Sequence, residues 1–359
     1  MEQQDGSLTM HAPVFYVLPL ATITRKRLLP HAGRVVVRVG QKVSPSDVIA
    51  ETSISRKHVI VDVAEQLQVP SAKLESIVKI KRGQKIAKGE VIAEIGGVFG
   101  REVRSPADGR VAAMAGGKLV LETGRASIEV RAGVAGTVIE VIEGLGAVIR
   151  ASGAVVQGVW GNGKIDAGVL LSLLEKPDDS LDASRLDVSQ RGSVILAGHV
   201  SDPKTLKAAA ELPVRGLVLS SMSSALISIA LQAQYPILLT DGFGRRPMNQ
   251  PAFKLLSTNV KRDIAVNAEF HRKMESRPEV FLSLPFTQEP PEPPEVETFA
   301  VGQTVRIISI LEPAGKGSLV SLPNEPVILA NGVRALAARV RLEAGDEILV
   351  PRSNLEVLV

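Results

Sequence analysis

The sequence predicts a multidomain, mainly β protein that also contains one α/β module. Glycine and proline recur every few residues between Leu29 and Gly158, which suits short strands and tight turns rather than helices. Apolar runs of strand length alternate with helical segments over residues 191–285, and a proline- and glutamate-rich segment then precedes a last stretch of strands and turns. A chain of 359 residues is also long for one hydrophobic core, so two or three domains are expected.

The composition limits the possible functions. Apolar residues make up 45% and charged residues 22% of the chain, which is the balance of an ordinary globular protein. Aromatic residues contribute only 3%, which argues against base stacking on single-stranded nucleic acid and against aromatic-lined sugar or cofactor pockets. The chain has no cysteine, which excludes disulfides, zinc–thiolate sites and thiol catalysis. The net charge of +4 permits an acidic partner without requiring one.

No apolar run reaches the roughly 18 to 20 residues that a membrane-spanning helix needs. The apolar stretch Ala12–Ala21 contains two prolines and precedes a basic cluster, which is the reverse of a secretory signal. We therefore expect a cytoplasmic protein without membrane insertion.

Residues 1–27 are predicted to form a leader and a first strand. The leader is Met1–His11, and the strand covers Val14–Thr24. The cluster Arg25-Lys26-Arg27 is expected to be a solvated turn, because three basic residues are too few to indicate nucleic-acid binding.

An internal repeat dominates residues 28–160. The segment Val39–Glu51 recurs as Lys81–Glu94 and, more loosely, as Glu143–Gly158. A second pattern has glycine at one fixed place, in His31-Ala32-Gly33-Arg34-Val35, Ala107-Asp108-Gly109-Arg110-Val111 and Val134-Ala135-Gly136-Thr137-Val138. A fixed glycine indicates a positive φ or a close backbone approach, and the repeat indicates a quasi-symmetric all-β unit.

The pattern G-x-x-V-x-x-G-x-x-[VI]-A followed by Ser105–Val111 resembles the barrel-sandwich hybrid fold of biotinyl and lipoyl carrier domains. In that family a lysine at a hairpin tip carries the cofactor. The register places Val98 at that position, and no lysine occurs from Gly89 through Met114. Lys57, in the neighbouring repeat, lacks the methionine flanks of the family. The resemblance therefore implies an unmodified barrel that serves as a scaffold, and no cofactor is expected.

Residues 62–78 are predicted to form a helical insertion of two short helices around Pro70-Ser71. We expect them to cap one mouth of the barrel. The alternative is a small helix-turn-helix reader of nucleic acid, for which only Lys73, Lys79 and Lys81 supply charge.

Residues 161–190 are predicted to form a linker with one short helix at Ala167–Leu174. The glycine-rich turn before it is not a phosphate loop, since Lys164 is followed by Ile165 instead of serine or threonine.

The α/β domain spans residues 191–285. Its predicted strands are Ser193–Ala197, Gly216–Leu219, Ile237–Leu239 and Ile264–Val266. Its predicted helices begin at Asp202-Pro203, at Ser223 or Ser224, and near Ala252. This alternation predicts a parallel sheet of βαβ units.

Ligands collect at the carboxyl ends of parallel strands, and polar residues follow three of these strands. The candidate ligand-binding residues are His199, Ser220, Ser221, Ser223, Ser224, Asp241, Arg245 and Arg246. Hydroxyl groups beside two arginines predict an anion site. The alternative is that the serines cap a helix while the arginines face solvent. Because no nucleophile is recognisable, no catalytic residue and no metal ligand is assigned.

Residues 286–297 are predicted to form an extended, solvated linker of proline and glutamate, and residues 298–359 a small barrel. The run from Val301 through Val320 resembles the KOW motif of SH3-like barrels in transcription elongation factors and ribosomal proteins. Ala344-Gly345-Asp346 is the turn of a predicted hairpin. The resemblance implies an RNA, polymerase or protein partner. Possible nucleic-acid contacts are Lys316, Arg334, Arg339 and Arg341, with Glu343, Asp346 and Glu347 balancing their charge.

Three hypotheses follow from the sequence. The first is a non-enzymatic adaptor or scaffold that binds protein partners through an unmodified barrel and an SH3-like barrel. The second is a transcription- or RNA-associated protein that acts through the KOW-like domain. The third is a sensor of small anionic ligands that uses the α/β domain.

Overall fold

The computed structural model describes residues 11–96, 100–270, 277–293, 297–308 and 315–358. The fold is mainly β, with several sheets and few short helices. Val98, at the position that the resemblance assigns to the carrier lysine, lies outside the described residues, as do the side chain of Lys57 and residues 1–10 of the predicted leader.

The first half of the chain contains thirteen described strands and two short helices. Before the insertion come β1 His11–Ala12, β2 Val14–Phe15, β3 Val17–Leu28, β4 Arg34–Val35, β5 Lys42–Val43 and β6 Val48–Asp62. The predicted insertion is confirmed as α1 Val63–Leu67 and α2 Leu74–Ile77. After it come β7 Lys85–Ile86, β8 Val91–Ile95, β9 Arg101–Arg104, β10 Gly109–Ala115, β11 Lys118–Arg131, β12 Gly136–Ile142 and β13 Gly146–Gln157.

The second half begins with the α/β module. Its elements are β14 Trp160–Gly161, β15 Ile165–Ser172, β16 Ser193–Val200, α3 Pro203–Glu211, β17 Gly216–Met222, α4 Ile227–Gln232, β18 Ile237–Phe243, α5 Gln250–Ser257, β19 Asp263–Asn267 and β20 Glu279–Ser283. The remaining strands are β21 Glu297–Thr298, β22 Thr304–Ile307, β23 Lys316–Ser321, β24 Val327–Ile328, β25 Arg334–Ala335, β26 Ala337–Leu342, β27 Glu347–Pro351 and β28 Leu355–Leu358.

The predicted βαβ segment forms one end of an eleven-stranded sheet. Strands β15, β16, β17 and β18 run parallel in that order, and β16 and β17 are buried along their whole length. Separate apolar cores fill the two faces of the sheet at this end. The predicted start of α3 is confirmed, since the Asp202 carboxylate accepts a hydrogen bond from Lys204 N and Pro203 occupies the first turn.

Two sequence predictions in this module are wrong. Residues 165–172 form strand β15, whereas a short helix was predicted at Ala167–Leu174. The strand is stabilised on both sides, parallel to β16 and antiparallel to β19, and this ladder outweighs the local helix propensity of alanine and leucine. The predicted fourth strand exists as β19, but it runs antiparallel to its neighbours β15 and β20 rather than extending the parallel sheet.

Residues 28–160 supply two apolar cores instead of the single cage expected from the repeat. The first β lobe is built on β3, β5, β12 and β13, with Ile23, Val43, Ile49, Val138 and Ile149 in its core. The second β lobe is built on β7 to β11 and on α1 and α2, whose buried residues Val63, Leu67 and Leu74 belong to its core. The long antiparallel strands β6 and β11 pair with each other and connect the two lobes.

The sequence repeat corresponds to one turn that occurs in both lobes and again near the C-terminus. In each copy a glycine of positive φ precedes a glutamine whose side chain accepts a hydrogen bond from the amide three residues earlier. The three pairs are Gly40-Gln41, Gly83-Gln84 and Gly302-Gln303. In each copy the glycine N–H and the glutamine C=O bond to one residue of a neighbouring strand, which is Val138, Val111 and Leu319 respectively.

The glycine of the second pattern is needed for close backbone approach. A Cβ at Gly33, Gly109 or Gly136 would lie 2.3 to 2.6 Å from the carbonyl oxygen of the facing strand. Gly317, two residues before Leu319, has the same environment, with the Arg341 oxygen at 2.3 Å. None of these four glycines has a positive φ, so the close approach is the physical reason for the pattern.

The C-terminal sheet has the strand order β2-β28-β22-β23-β26-β27. The predicted hairpin between β26 and β27 is confirmed, and Gly345 at its turn has a φ of 97°. The N-terminal strand β2 pairs in parallel with β28, so part of the predicted first strand completes this distant sheet.

A buried ion-pair triad joins the C-terminal sheet to the rest of the protein. The carboxylate of Glu356, which is 1% exposed, contacts the guanidinium groups of both Arg306 and Arg277. Arg306 lies on β22, and Arg277 lies just before β20 of the large sheet. The Arg306 guanidinium also stacks on Phe15, with 4.1 Å from its central carbon to the ring centroid.

The cluster Arg25-Lys26-Arg27 lies within β3 and is not the solvated turn that was predicted. The Arg25 Nη2 atom lies 2.6 Å from Glu279 Oε2, and the Arg27 Nη2 atom lies 2.5 Å from Glu269 Oε2. Arg27 is only 6% exposed. These carboxylates offset the cost of removing two guanidinium groups from water, which allows basic residues inside a packed strand.

The proline- and glutamate-rich segment lies along β3 rather than free in solvent. Thr22 N donates a hydrogen bond of 3.1 Å to Pro291 O, and Arg150 Nε lies 3.1 Å from Glu289 Oε1. Glu292 is a second, longer ion-pair partner of Arg150 at 3.6 Å. Within the described part of this segment, residues 286–293, Glu289 and Glu292 therefore pair with Arg150 of the first β lobe.

Candidate functional site

The residues that the sequence singled out in the α/β module come together at one edge of its sheet. Strands β16, β17 and β18 are parallel neighbours, and their carboxyl ends carry His199, Ser221 and Asp241. His199 stands directly opposite Ser221 in the register of β16 and β17. This convergence was predicted from the strand order of βαβ units.

One loop segment fixes the backbone of His199. Its backbone N–H donates to Asp179 O at 2.8 Å, and its C=O accepts from Leu181 N at 2.9 Å, so the 179–181 segment pairs with the end of β16. This close crossing requires glycine at the preceding position, because a Cβ at Gly198 would lie 1.8 Å from Asp179 O.

Ser221 connects His199 to the loop after β18. His199 Nδ1 lies 3.0 Å from Ser221 Oγ. The same hydroxyl donates to Arg246 O at 2.9 Å and accepts from Arg246 N at 3.0 Å. One buried hydroxyl therefore orients the imidazole and anchors the loop that contains Arg245 and Arg246.

The other predicted serines do not form a row of free donors. Ser220 is fully buried, and its Oγ lies 3.5 Å from Ser221 Oγ. Ser223 occupies the cap position of a short 3₁₀ turn without a side-chain capping bond, and Ser224 is exposed. Neither Ser223 nor Ser224 therefore makes the side-chain cap that was considered from the sequence. The hydroxyls of Ser220 and Ser221 contact each other, and that of Ser221 also bonds to the backbone of Arg246.

Asp241 is held by residues that the sequence analysis missed. Its Oδ2 atom accepts hydrogen bonds from Thr240 Oγ1 at 2.7 Å and from Asn249 N at 2.9 Å, and the Asn249 side-chain amide is also within 3.3 Å of the carboxylate. Asn249 Oδ1 in turn accepts from Ala252 N and so caps α5. The sequence signal for Asn249 was its position two residues before Pro251, which is typical of a helix start.

Burial, followed by the positive charge of Arg245, lowers the pKa of His199 below its ordinary value. Hydrogen bonds from the amides of Lys176 and then Glu175 lower the pKa of the Asp179 carboxyl, which is thereby fixed in its own loop. We call the group of His199, Ser221, Asp241 and Arg245 the strand-end site. It holds a neutral imidazole near the positive charge of Arg245, and the carboxylates of Asp179 and Asp241 at this edge are already hydrogen-bonded.

The second set of candidate residues lies on the C-terminal sheet. Lys316 of β23 shares the face opposite the apolar core with Arg339 and Arg341 of β26. Arg341 forms an ion pair of 2.8 Å with Glu347 of β27, whereas no ion pair to Arg339 is found among the described residues. Arg334 lies apart on the two-stranded hairpin of β24 and β25.

That hairpin carries Ile328, which has the highest exposed fraction of the large apolar side chains described in the C-terminal module. Leu329 N donates to Val333 O at 2.9 Å, and Gly332, with a φ of 79°, allows the tight return. Among the described strands the hairpin pairs with no larger sheet, and Ile328 and Val333 are 73% and 52% exposed. No sequence pattern at the KOW-like segment pointed to this feature.

In the described parts of the chain, no group of three or more histidine and acidic side chains is placed to hold a metal ion. Among the same residues, no helix combines the length and apolar character needed to cross a membrane. Comparisons with protein-family models, with curated proteins and with solved structures find no match for this chain.

Proposed function

We propose that the protein is a non-enzymatic adaptor that binds a protein partner through the hairpin Val327–Ala335 of its C-terminal module. In this proposal the two β lobes are barrel-sandwich hybrid units without a carrier lysine, and the C-terminal sheet is an SH3-like barrel. The turn and the close-approach glycine shared by all three units support a common β architecture.

The exposure of Ile328 and Val333 is the observation that carries this function. An isolated two-stranded hairpin is marginally stable in water, and large aliphatic side chains at its surface gain free energy only when another surface covers them. Arg334, next to Val333 and exposed, provides the polar rim that protein interfaces commonly have.

The rest of the molecule supports the hairpin as a fixed platform. Arg352 donates to Pro323 O at 2.8 Å and to Ala337 O at 3.3 Å, which ties the two ends of the hairpin segment together. The triad of Glu356, Arg306 and Arg277 then attaches the C-terminal sheet to the large sheet. A partner bound at the hairpin would thus be connected to the α/β module and the lobes through the C-terminal sheet, as an adaptor requires.

The test is recovery of a partner from native host extract by tagged full-length protein. In the double variant Ile328→Asp, Val333→Asp, two charges would have to enter the interface without a counter-ion, and we expect the partner to be lost. Both side chains face solvent, so the melting temperature should remain close to that of the wild type.

The matched control is Val188→Asp, at an aliphatic residue that is 77% exposed in another part of the chain. We expect this variant to recover the same partner in the same amount as the wild type. Equal recovery by the double variant would contradict the hairpin as the docking surface.

A second candidate function is RNA binding, which is favoured by the common face of Lys316, Arg339 and Arg341. The affinity for labelled RNA across a salt series would then show a counterion-release slope that decreases by about one unit in Arg339→Gln. An affinity that is independent of salt, or a slope that Arg339→Gln leaves unchanged, would rule this function out.

A further inference from the structure

The imidazole of His199 is held through one of its two ring nitrogens. The residue is 9% exposed, and Nδ1 is bonded to Ser221 Oγ. No hydrogen bond to Nε2 is found among the described residues, and Nε2 is not one of the polar atoms that are sealed from solvent there, so it is accessible at the strand-end edge. A rigidly held, accessible ring nitrogen at the carboxyl ends of parallel strands lies where ligands commonly bind.

The contacts of Ser221 determine which nitrogen of His199 carries the proton. The hydroxyl has a single proton, and it lies 2.9 Å from Arg246 O, an atom that can only accept. With that proton directed at Arg246 O, the hydroxyl oxygen accepts from Arg246 N–H and from His199 Nδ1–H. In the opposite assignment the hydroxyl proton would point at His199 Nδ1. The lone pairs of the Ser221 hydroxyl oxygen and of the Arg246 carbonyl oxygen would then face each other and repel. In the neutral imidazole, Nε2 is therefore the nitrogen with the lone pair.

The charges around this lone pair favour an anion that brings its own proton. Arg245 precedes the residue whose backbone is bonded to Ser221, its side chain is exposed, and no carboxylate partner for it is found among the described residues. The carboxylates of Asp179 and Asp241 at this edge are hydrogen-bonded, Asp179 to backbone amides and Asp241 to Asn249. The pKa of His199, lowered by burial and by Arg245, keeps the ring neutral near pH 7, so that Nε2 accepts a hydrogen bond instead of donating one.

We propose that His199 and Arg245 bind a small tetrahedral oxyanion with a protonated oxygen, namely a hydrogen phosphate group, which is either the free ion or the singly protonated form of a phosphate monoester. Arg245 binds the charged oxygens, and the O–H of the ligand donates to His199 Nε2. Ser221 is a positioning residue that fixes the tautomer. The site is separate from the hairpin and adds a ligand-binding function to the adaptor.

The test is titration of the full-length protein near pH 7 with inorganic phosphate, with a simple phosphate monoester and with sulfate, followed by NMR of the histidine side chains. The chain has five histidines, and a spectrum of His199→Gln identifies the resonance of interest. We expect inorganic phosphate to shift the His199 resonance at millimolar or lower concentration and to raise its apparent pKa. Sulfate carries no proton at this pH, so we expect it to bind at least about tenfold more weakly. The monoester loses its last proton near pH 6, so the two phosphate compounds are compared again at about pH 6, where roughly half of the monoester is protonated. A monoester that binds more tightly than inorganic phosphate at that pH would identify an organic ligand, and the reverse would identify the free ion.

Arg245→Gln changes an exposed side chain, so the fold should be retained, and we expect phosphate affinity to fall about tenfold or more. Ser221→Ala frees the tautomer, and the preference for phosphate over sulfate should then decrease even where some affinity remains. Absence of a phosphate-induced shift, an equal response to sulfate, or full affinity in Arg245→Gln would overturn the proposal.

Discussion

Replacement of Glu356 by glutamine tests the junction between the C-terminal sheet and the rest of the protein. Glu356 is 1% exposed and serves two guanidinium groups, of which Arg306 is 9% and Arg277 25% exposed at the side chain. Glutamine keeps the shape but removes the charge, which leaves two largely buried cations without a counter-ion. Breaking such a buried pair from one side costs about 3 to 5 kcal/mol. We therefore expect the opening free energy of the C-terminal sheet to fall by about that amount.

Hydrogen exchange of the amides in β22 and β28 measures this opening free energy directly. The matched control is Glu347→Gln, which removes the carboxylate partner of the half-exposed Arg341. An exposed pair contributes about 1 kcal/mol or less, so this control should change exchange only slightly. The double variant Glu356→Gln, Arg306→Met should recover part of the loss, because an apolar side chain replaces an unpaired charge. If Glu356→Gln and Glu347→Gln both changed hydrogen exchange only slightly and to the same extent, the ion-pair triad would not stabilise the junction.

Three further predictions concern the fold and the strand-end site. Gly136→Ala should destabilise the first β lobe by about 1 to 3 kcal/mol in urea unfolding, because its Cβ would lie 2.4 Å from Arg150 O. The control Gly96→Ala, which has open space around it, should leave the unfolding free energy unchanged, and equal effects of the two variants would refute the close-approach explanation. Asn249→Ala should cost about 1 to 2 kcal/mol, since it removes the cap of α5 and a partner of Asp241, and an unchanged melting temperature would count against that role. The folded-state pKa of His199 lies below its unfolded value, so the stability that the neutral ring contributes is present above the unfolded pKa and is lost as pH falls through the folded one. Unfolding free energy should accordingly fall more steeply from about pH 7 to pH 5 in the wild type than in His199→Gln, and parallel curves would contradict this.

Much of the α/β module was predictable because its signals are local. The Asp202-Pro203 start of α3 and the apolar run at β16 each depend on a few adjacent residues. Strand β15 was not predictable in the same way. Its alanine and leucine residues favour helix, and only the distant partners Ser193 and Asp263, which face it across the sheet, make it a strand. Long-range pairing of this kind leaves no mark within the segment itself.

The candidate site shows the same division between local and distant information. Strand order predicted that His199, Ser221 and Asp241 converge, since the carboxyl ends of parallel strands share one edge. The direction of the Ser221 hydroxyl was not predictable, because it depends on a loop that begins after β18 and returns its backbone at Arg246. The repeat was likewise visible in the sequence, but two cores instead of one follow from the pairing of β6 with β11.

The most direct test of the proposed adaptor function places a photo-crosslinking amino acid at Ile328 of the full-length protein in its native host. We expect irradiation to give one discrete heavier species that contains a second protein, and the same label at Val188 to give none. Equal labelling at the two positions, or no adduct at Ile328, would contradict a partner seated on the hairpin.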